Sequence, residues 1–338
     1  MLVVKRRLPT SWTSSHGRTH QLVVMAGTMT TSNAQRVYSS KERKMKVAVV
    51  GLGAMGLEMA KWLNNDFDVT GFDVSKERMD LASQSGVSQA ASARAACDDA
   101  DIVLVAVRNQ EQLMDLLYGA DGVAPVMKKG AAIVLTSTIG VSAVEEVAVK
   151  LKEQGIGLVD APVSGGPARA GKGDLLVTVG AFPEEYEYAK PILDAMASKL
   201  VWVGEAPGKG QCMKTVNQLL CGVHIAAGAE ALALAGKLGI DQKVALDALM
   251  SGAAESFMLG DRGPRSIQAY EGETAEVKSR LDIFVKDMGI VTDAAKSVGI
   301  AVPVAAAAEQ EYLMGLSNGQ GAMDDSSVIH VIAPDTRV

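Results

Sequence analysis

The chain is sparing with the residues on which several common chemistries depend. Its three cysteines, Cys97, Cys212 and Cys221, are odd in number and scattered. They form neither a disulfide framework nor a C-x-x-C ligand pair. The four histidines, His16, His20, His224 and His330, include no two at a metal-ligand spacing. That argues against a zinc hydrolase, and no metal site is expected. Aromatic residues are 4% of the chain, too few for the stacking platforms of a nucleic-acid binder. No apolar run approaches the ~20 uncharged residues of a transmembrane helix, so a membrane is not an expected partner. What remains is globular in its proportions: 338 residues, 48% hydrophobic and 21% charged. That suffices for one large or two ordinary domains with a sizeable core, and it excludes wholesale disorder.

Acidic groups are also scarce in one place. Residues 1–44 hold eight basic side chains and a single acid, Glu42, while the whole chain has a net charge of −6. The remainder therefore stands at −13, a body that does not attract nucleic acid or an anionic membrane. The Ser-, Thr- and Arg-rich tail resembles a mitochondrial transit peptide. Arg36-Val37-Tyr38-Ser39 fits a matrix-protease site cut after Tyr38. The expected location is the mitochondrial matrix, with the cytoplasm as the alternative if the tail is a disordered extension or the protein starts at Met45.

From Lys46 the pattern changes. Lys46–Val50 is an apolar, β-branched run followed by a glycine-rich turn and a helix-period stretch from Ala54 to Leu63. Val69–Phe72, Ile102–Val107, Ala131–Leu135, Leu158–Val159, Leu175–Val179 and Leu200–Val203 read as further strands. Helical stretches lie between them, notably Gln110–Leu117, Val141–Lys152 and Glu184–Ala197. Strands alternating with helices predict βαβ units and a parallel sheet. After Gly210 strand signals cease. Met213–Leu238, Lys243–Met250, Ser279–Ser297 and Val304–Leu316 read as helices, the last two parted by Gly299 and Pro303. The expected architecture is α/β: a Rossmann-like dinucleotide-binding domain over 45–209, then an all-α domain over 210–338. Met196, Met213 and Met250 are read as core filler.

Gly51-Leu52-Gly53-Ala54-Met55-Gly56 is a G-x-G-x-x-G sequence placed between a strand and a helix, the context that gives it meaning. Gly51 permits the tight turn, Gly53 lets a pyrophosphate approach the backbone, and Gly56 lets helix and strand pack closely. Asp73 ends the second strand, where the ribose-binding acid of such a unit belongs. Its carboxylate would accept from both ribose hydroxyls and repel a 2′-phosphate, so NAD is favoured over NADP.

Three more motifs follow in order: Asp160-Ala161-Pro162-Val163-Ser164-Gly165-Gly166, then Gly208–Asn217 (GKGQCMKTVN), then Lys286-Asp287. With the glycine fingerprint they resemble the β-hydroxyacid dehydrogenase family, related to 3-hydroxyisobutyrate dehydrogenase, over about residues 46–333. The resemblance implies that Lys214 is the catalytic lysine and that Asn217, one turn on, holds the substrate hydroxyl or the lysine. An amine can take the proton that leaves oxygen as hydride leaves carbon. The resemblance also implies that Ser164, Gly165 and Gly166 bind the substrate carboxylate. Thr138 then touches the nicotinamide end, Val107 and Arg108 contact the cofactor, and Lys286 reaches it from the helical part. Arg108 replaces the family's usual proline. His224 is read as a satisfied core histidine, with a distal substrate hydroxyl as the sharper option.

Within the family, Gln218–Glu230, Asp282–Val291 and Asp324–Ile329 are similar to the L-threonate dehydrogenase branch. Gln218 and His224 add hydrogen-bonding groups that suit a polyhydroxylated acid. The expected reaction is NAD-dependent oxidation of a small hydroxy acid, L-threonate or a related four-carbon sugar acid, by a homo-oligomer. The alternatives are a 3-hydroxyisobutyrate dehydrogenase, a tartronate or succinic semialdehyde reductase, and a catalytically silent dinucleotide-binding module.

Overall fold

The computed structural model describes residues 44–334; the basic tail and its expected cleavage site lie outside the described residues. Strand β1 (Lys46–Val50) starts a sheet whose central members are buried on both faces. That double burial is why they read as continuous apolar runs instead of alternating ones. The other strands are β2 (Asp68–Phe72), β3 (Ser88–Gln89), β4 (Ile102–Val105), β5 (Ala132–Leu135), β6 (Gly157–Asp160), β7 (Val163–Ser164), β8 (Leu175–Gly180) and β9 (Ala197–Gly204). Their spatial order is β3-β2-β1-β4-β5-β6-β8-β7, with β9 paired to β8. From β3 to β6 every pairing is parallel.

The far end departs from the all-parallel expectation. β8 runs antiparallel to both β6 and β7. β6 and β7 therefore run the same way, and the chain reverses between β7 and β8, where the ten residues 165–174 are fewer than the dozen or more that a parallel crossover needs. Pairing of Val163 with Val177 and of Ser164 with Leu176 fixes the segment that carries Ser164.

Seven helices connect these strands: α1 (Ala54–Leu63), α2 (Lys76–Gln84), α3 (Ala93–Cys97), α4 (Gln110–Tyr118), α5 (Val141–Glu153), α6 (Pro167–Ala170) and α7 (Pro183–Met196). One face of the sheet packs under α1 and α7, through Leu57, Leu63, Ile192 and Leu193 against Val49, Leu104 and Val159. The other packs under α4 and α5, through Leu113, Leu117, Val144 and Leu151 against Val103 and Ile133.

The remainder is helical: α8 (Lys209–Lys237), α9 (Gln242–Met250), α10 (Phe257–Tyr270), α11 (Leu281–Ser297), α12 (Pro303–Ser317) and α13 (Ile329–Ile332). Sequence reading passes over α10 because Gly260, Gly263 and Pro264 imitate a break. The glycines serve packing: a Cβ on Gly263 would lie 2.6 Å from the Leu246 side chain of α9. Ser256 caps the helix by accepting from the Leu259 N–H at 3.1 Å.

By length and composition α8 is long and apolar enough to cross a membrane, although Lys214, Glu230 and Lys237 interrupt it. Its apolar face is instead used in the core. Ile225, Ala229 and Leu232 pack with Leu281, Phe284, Met288 and Tyr312 from α11 and α12. Of the three methionines read as filler, Met196 is buried and Met213 is exposed. From Lys44 onward the chain forms one compact unit, with the start of α8 seated against β6, β8 and β9.

Candidate active site

The glycine turn has the geometry of a ligand cradle. Gly51 takes φ +92°, and a Cβ there would lie 2.4 Å from the Ala106 carbonyl oxygen. A Cβ on Gly56 would lie 1.8 Å from the Gly51 oxygen. Both positions therefore require glycine for the protein's own packing. Gly53 differs: a Cβ there meets no heavy atom within 4 Å. This clear space sits at the N-terminus of α1, whose first turn has no acidic residue and whose cap supplies no side-chain hydrogen bond. Unsatisfied N–H groups and the positive end of the helix dipole face it, a fit for a pyrophosphate. Leu52 is buried behind the turn, Ala54 is exposed and Met55 is half-buried.

Asp73 is wired into this cradle. Its Oδ2 accepts from the Leu52 N–H at 2.6 Å, and its Oδ1 from the Ser75 N–H at 2.8 Å. Each oxygen keeps one lone pair for a ligand hydroxyl. The cap of α2 is Ser75, not Asp73.

A chain of contacts leads from the turn to the lysine. Gly51 packs on Ala106, and the next residue, Val107, donates its N–H to Ser137 Oγ at 2.8 Å. Thr138 accepts at its carbonyl oxygen from Lys286 Nζ, 2.7 Å away on α11. Arg108 is exposed and donates its backbone N–H to Gln112, so its side chain is not drawn into this chain of contacts.

Lys214 is 8% exposed. Its Nζ donates to Val163 O at 2.9 Å and Ser164 Oγ at 3.0 Å. Burial pushes the ammonium below its ordinary pKa; Asp287 and Cys221 oppose that shift, and Lys286 adds to it. Asp287, 3% exposed, accepts from Gln218 Nε2 and lies 2.9 Å from Lys286 Nζ. Asn217 does not bond to Lys214. Its amide donates to Gln218 Oε1 at 2.9 Å and approaches Cys221 Sγ at 3.3 Å. Ser164 thus meets the lysine. Gly165 and Gly166 continue from it into the turn before α6, and a Cβ on Gly166 would meet nothing within 4 Å. His224 is half-buried, ten residues beyond Lys214 on α8.

Two residues quoted within motifs but given no role by sequence reading turn out to be central to the geometry. Asp160, 0% exposed, ends β6 and accepts from the Gly208 and Gln211 N–H groups at 3.0 and 2.8 Å. Gln211 bonds through both ends of its amide to Asp160 and to the loop after β5. A signal existed: Gln211, Lys214 and Gln218 recur at helical spacing, and all three are buried. The branch-like segment Asp324-Asp325 forms buried ion pairs, Asp325 with Arg262 at 2.9 Å and Asp324 with Arg265 at 2.9 Å. It anchors the C-terminal turn on α10. Among the described residues no group of three His, Cys, Asp or Glu side chains could hold a metal ion.

Comparison with known proteins agrees with this geometry. Residues 46–204 match the family described as the NAD binding domain of 6-phosphogluconate dehydrogenase. Residues 208–332 match that described as NAD-binding of NADP-dependent 3-hydroxyisobutyrate dehydrogenase. The chain is 37% identical to L-threonate dehydrogenase of Cupriavidus necator over 84% of its own length and 95% of that protein's. It is 36% identical to the enzyme of the same name from Haemophilus influenzae, over 87% and 97%. A solved structure described as 3-hydroxyisobutyrate dehydrogenase from Salmonella typhimurium superposes with a TM-score of 0.79 at 36% identity, covering 85% of this chain and 99% of that one. A dinucleotide cradle joined through one bonded loop to a buried lysine, in a chain aligned with such enzymes along nearly their whole length, belongs to the β-hydroxyacid dehydrogenase family, the NAD(P)-binding oxidoreductases related to 3-hydroxyisobutyrate dehydrogenase.

Proposed function

We propose that this enzyme oxidises L-threonate, or a closely related four-carbon sugar acid, at the carbon beside the carboxylate, with NAD as acceptor and Lys214 as base. The observation that carries the catalytic reading is the pair of acceptors on Lys214 Nζ, Val163 O and Ser164 Oγ. A neutral amine has two N–H bonds and one lone pair. Two protein acceptors occupy the two N–H bonds, which leaves the lone pair to take the substrate's hydroxyl proton. Burial favours that neutral form. Asp287, close enough to oppose the shift, stabilises the positive charge once the proton has arrived. When bound, the nicotinamide supplies the hydride acceptor. Gly51–Gly56 would hold its pyrophosphate, Asp73 its adenosine ribose, and Val107, Thr138 and Lys286 the approach to its nicotinamide end. Ser164 Oγ and the Gly165 and Gly166 N–H groups would hold the substrate carboxylate, with Asn217 at the reacting hydroxyl.

Asp73 supports NAD over NADP, since its carboxylate repels a 2′-phosphate. The L-threonate reading rests on the relatives of that name and on the polar group of Asn217, Gln218 and His224 along α8. The 3-hydroxyisobutyrate reading is favoured by the Salmonella structure, matched at 36% identity. A panel of hydroxy acids assayed by NADH absorbance, with NADP in parallel, separates the two. Far more efficient turnover of 3-hydroxyisobutyrate than of L-threonate would replace the first reading with the second.

Three further proposals concern the chain as a whole. The division at 209/210 separates the segment that binds the cofactor from the helices that close on it. An exposed apolar stripe along α8 and its C-terminal cap, Val216, Leu220, Leu234 and Leu238, supports a homo-oligomer. The acid-poor composition of residues 1–44 supports mitochondrial import.

A further inference from the structure

We propose that Gln211 is a positioning residue that sets Lys214 in register with the loop carrying Thr138, an assignment resting on the reading of Lys214 as the base. Its amide is fully used. Oε1 accepts from two consecutive backbone groups, Ile139 N–H at 3.0 Å and Gly140 N–H at 3.1 Å. Nε2 donates to Ser137 O at 3.0 Å and Asp160 Oδ1 at 2.8 Å. Both lone pairs and both N–H bonds are satisfied, and the amide has one workable orientation. Reversing it would set donors against the Ile139 and Gly140 N–H groups and an oxygen against the Ser137 and Asp160 oxygens.

The consequence is geometric. Asp160 Oδ2 takes the Gly208 and Gln211 backbone N–H groups and so fixes where α8 begins. Lys214 follows Gln211 by three residues, on the same helix face. The other end of the clamp closes on residues 137–140. Thr138 of that loop receives Lys286, and Ser137 holds Val107. One buried side chain, 1% exposed, thereby joins the first turn of α8 to the loop at the nicotinamide end. It acts through Lys214, whose place relative to that loop it sets.

The test is a double-mutant cycle on the full-length enzyme with NAD and the best hydroxy acid of the panel. Gln211→Met keeps the length and apolar bulk and removes all four hydrogen bonds. Misplacement by about 1 Å costs about 10²-fold, so kcat should fall by about 10- to 100-fold, with KM for the hydroxy acid changing by less than about threefold. In a Lys214→Ala background there is no base left to align, and the same change should cost less than about twofold. An equal fold-loss in both backgrounds would overturn the clamp and leave a structural residue. Near-normal kcat in Lys214→Ala alone would overturn the reading of Lys214 and the clamp together, so the two failures are distinguishable. If Gln211→Met does not fold, Gln211→Glu goes through the same cycle. It keeps an acceptor for Ile139 and Gly140 and sets a second carboxyl against Asp160, and the same two outcomes decide.

Discussion

Raising the pH through the weakly acidic range should weaken this fold through one carboxyl group. Asp160 is 0% exposed, and its hydrogen-bond partners are the Gly208 and Gln211 backbones and the Gln211 amide, none of them a cation. Burial pushes its pKa up from 3.8 to about 6, against the opposing effect of those N–H donors. The folded state therefore holds this proton where the unfolded state has already released it. The stabilisation is complete below about pH 4 and is lost as pH rises through about 6. At ~1.4 kcal/mol per pH unit, a difference of about two units is worth about 3 kcal/mol. Asp160→Asn removes the titration, and its changed hydrogen bonds add an offset that does not vary with pH. Urea unfolding of both proteins across a pH series supplies the comparison. The stability of the wild type minus that of the variant should fall by about 3 kcal/mol between about pH 4 and pH 7. A difference that is flat, or that rises with pH, would refute the reasoning.

Other consequences are as direct. Asp73→Ala should weaken NAD binding by about tenfold, the scale of a lost charged hydrogen bond, and narrow the discrimination against NADP; a wild type with comparable kcat/KM for NADP would contradict the role of Asp73. Gly56→Ala should destabilise by ~1–3 kcal/mol or more, as overpacking does, because its Cβ lands on the Gly51 oxygen. Gly53→Ala should leave Tm unchanged and weaken NAD binding by calorimetry; equal loss of Tm in both glycine variants would mean that the space at Gly53 is not kept for a ligand. The tail should direct mitochondrial import with removal near Tyr38, and an intact tail-bearing chain in the cytosolic fraction would contradict that.

Much of the fold is legible because its central strands are short apolar runs between helix-period stretches. The glycine fingerprint is legible because it falls between β1 and α1. What escaped reading had local reasons. β3 and β7 are two-residue strands, with no periodicity to detect. The antiparallel β8 depends on the connection over residues 165–174, whose Gly165, Gly166 and Pro167 read only as a loop. α10 carries the glycines and proline of a break. At the site, Lys214 and Ser164 are readable through their motifs, and the structure brings them into contact. Asn217 shares the motif, yet its amide turns to Gln218 and Cys221, a choice made by neighbours on its own helix. Gln211 acts through partners 51 and 74 residues away in sequence; only the helical spacing of the polar residues 211, 214 and 218 hints at it.

The central claim is that Lys214 moves the proton, and the kcat of Lys214→Ala at saturating NAD and hydroxy acid tests it most directly. General acid–base catalysis contributes about 10²–10⁴-fold. The alanine variant should lose kcat by about that factor and keep its NAD affinity, and Lys214→Arg should not restore the rate because a guanidinium stays protonated. A near-normal kcat in the alanine variant would contradict the account.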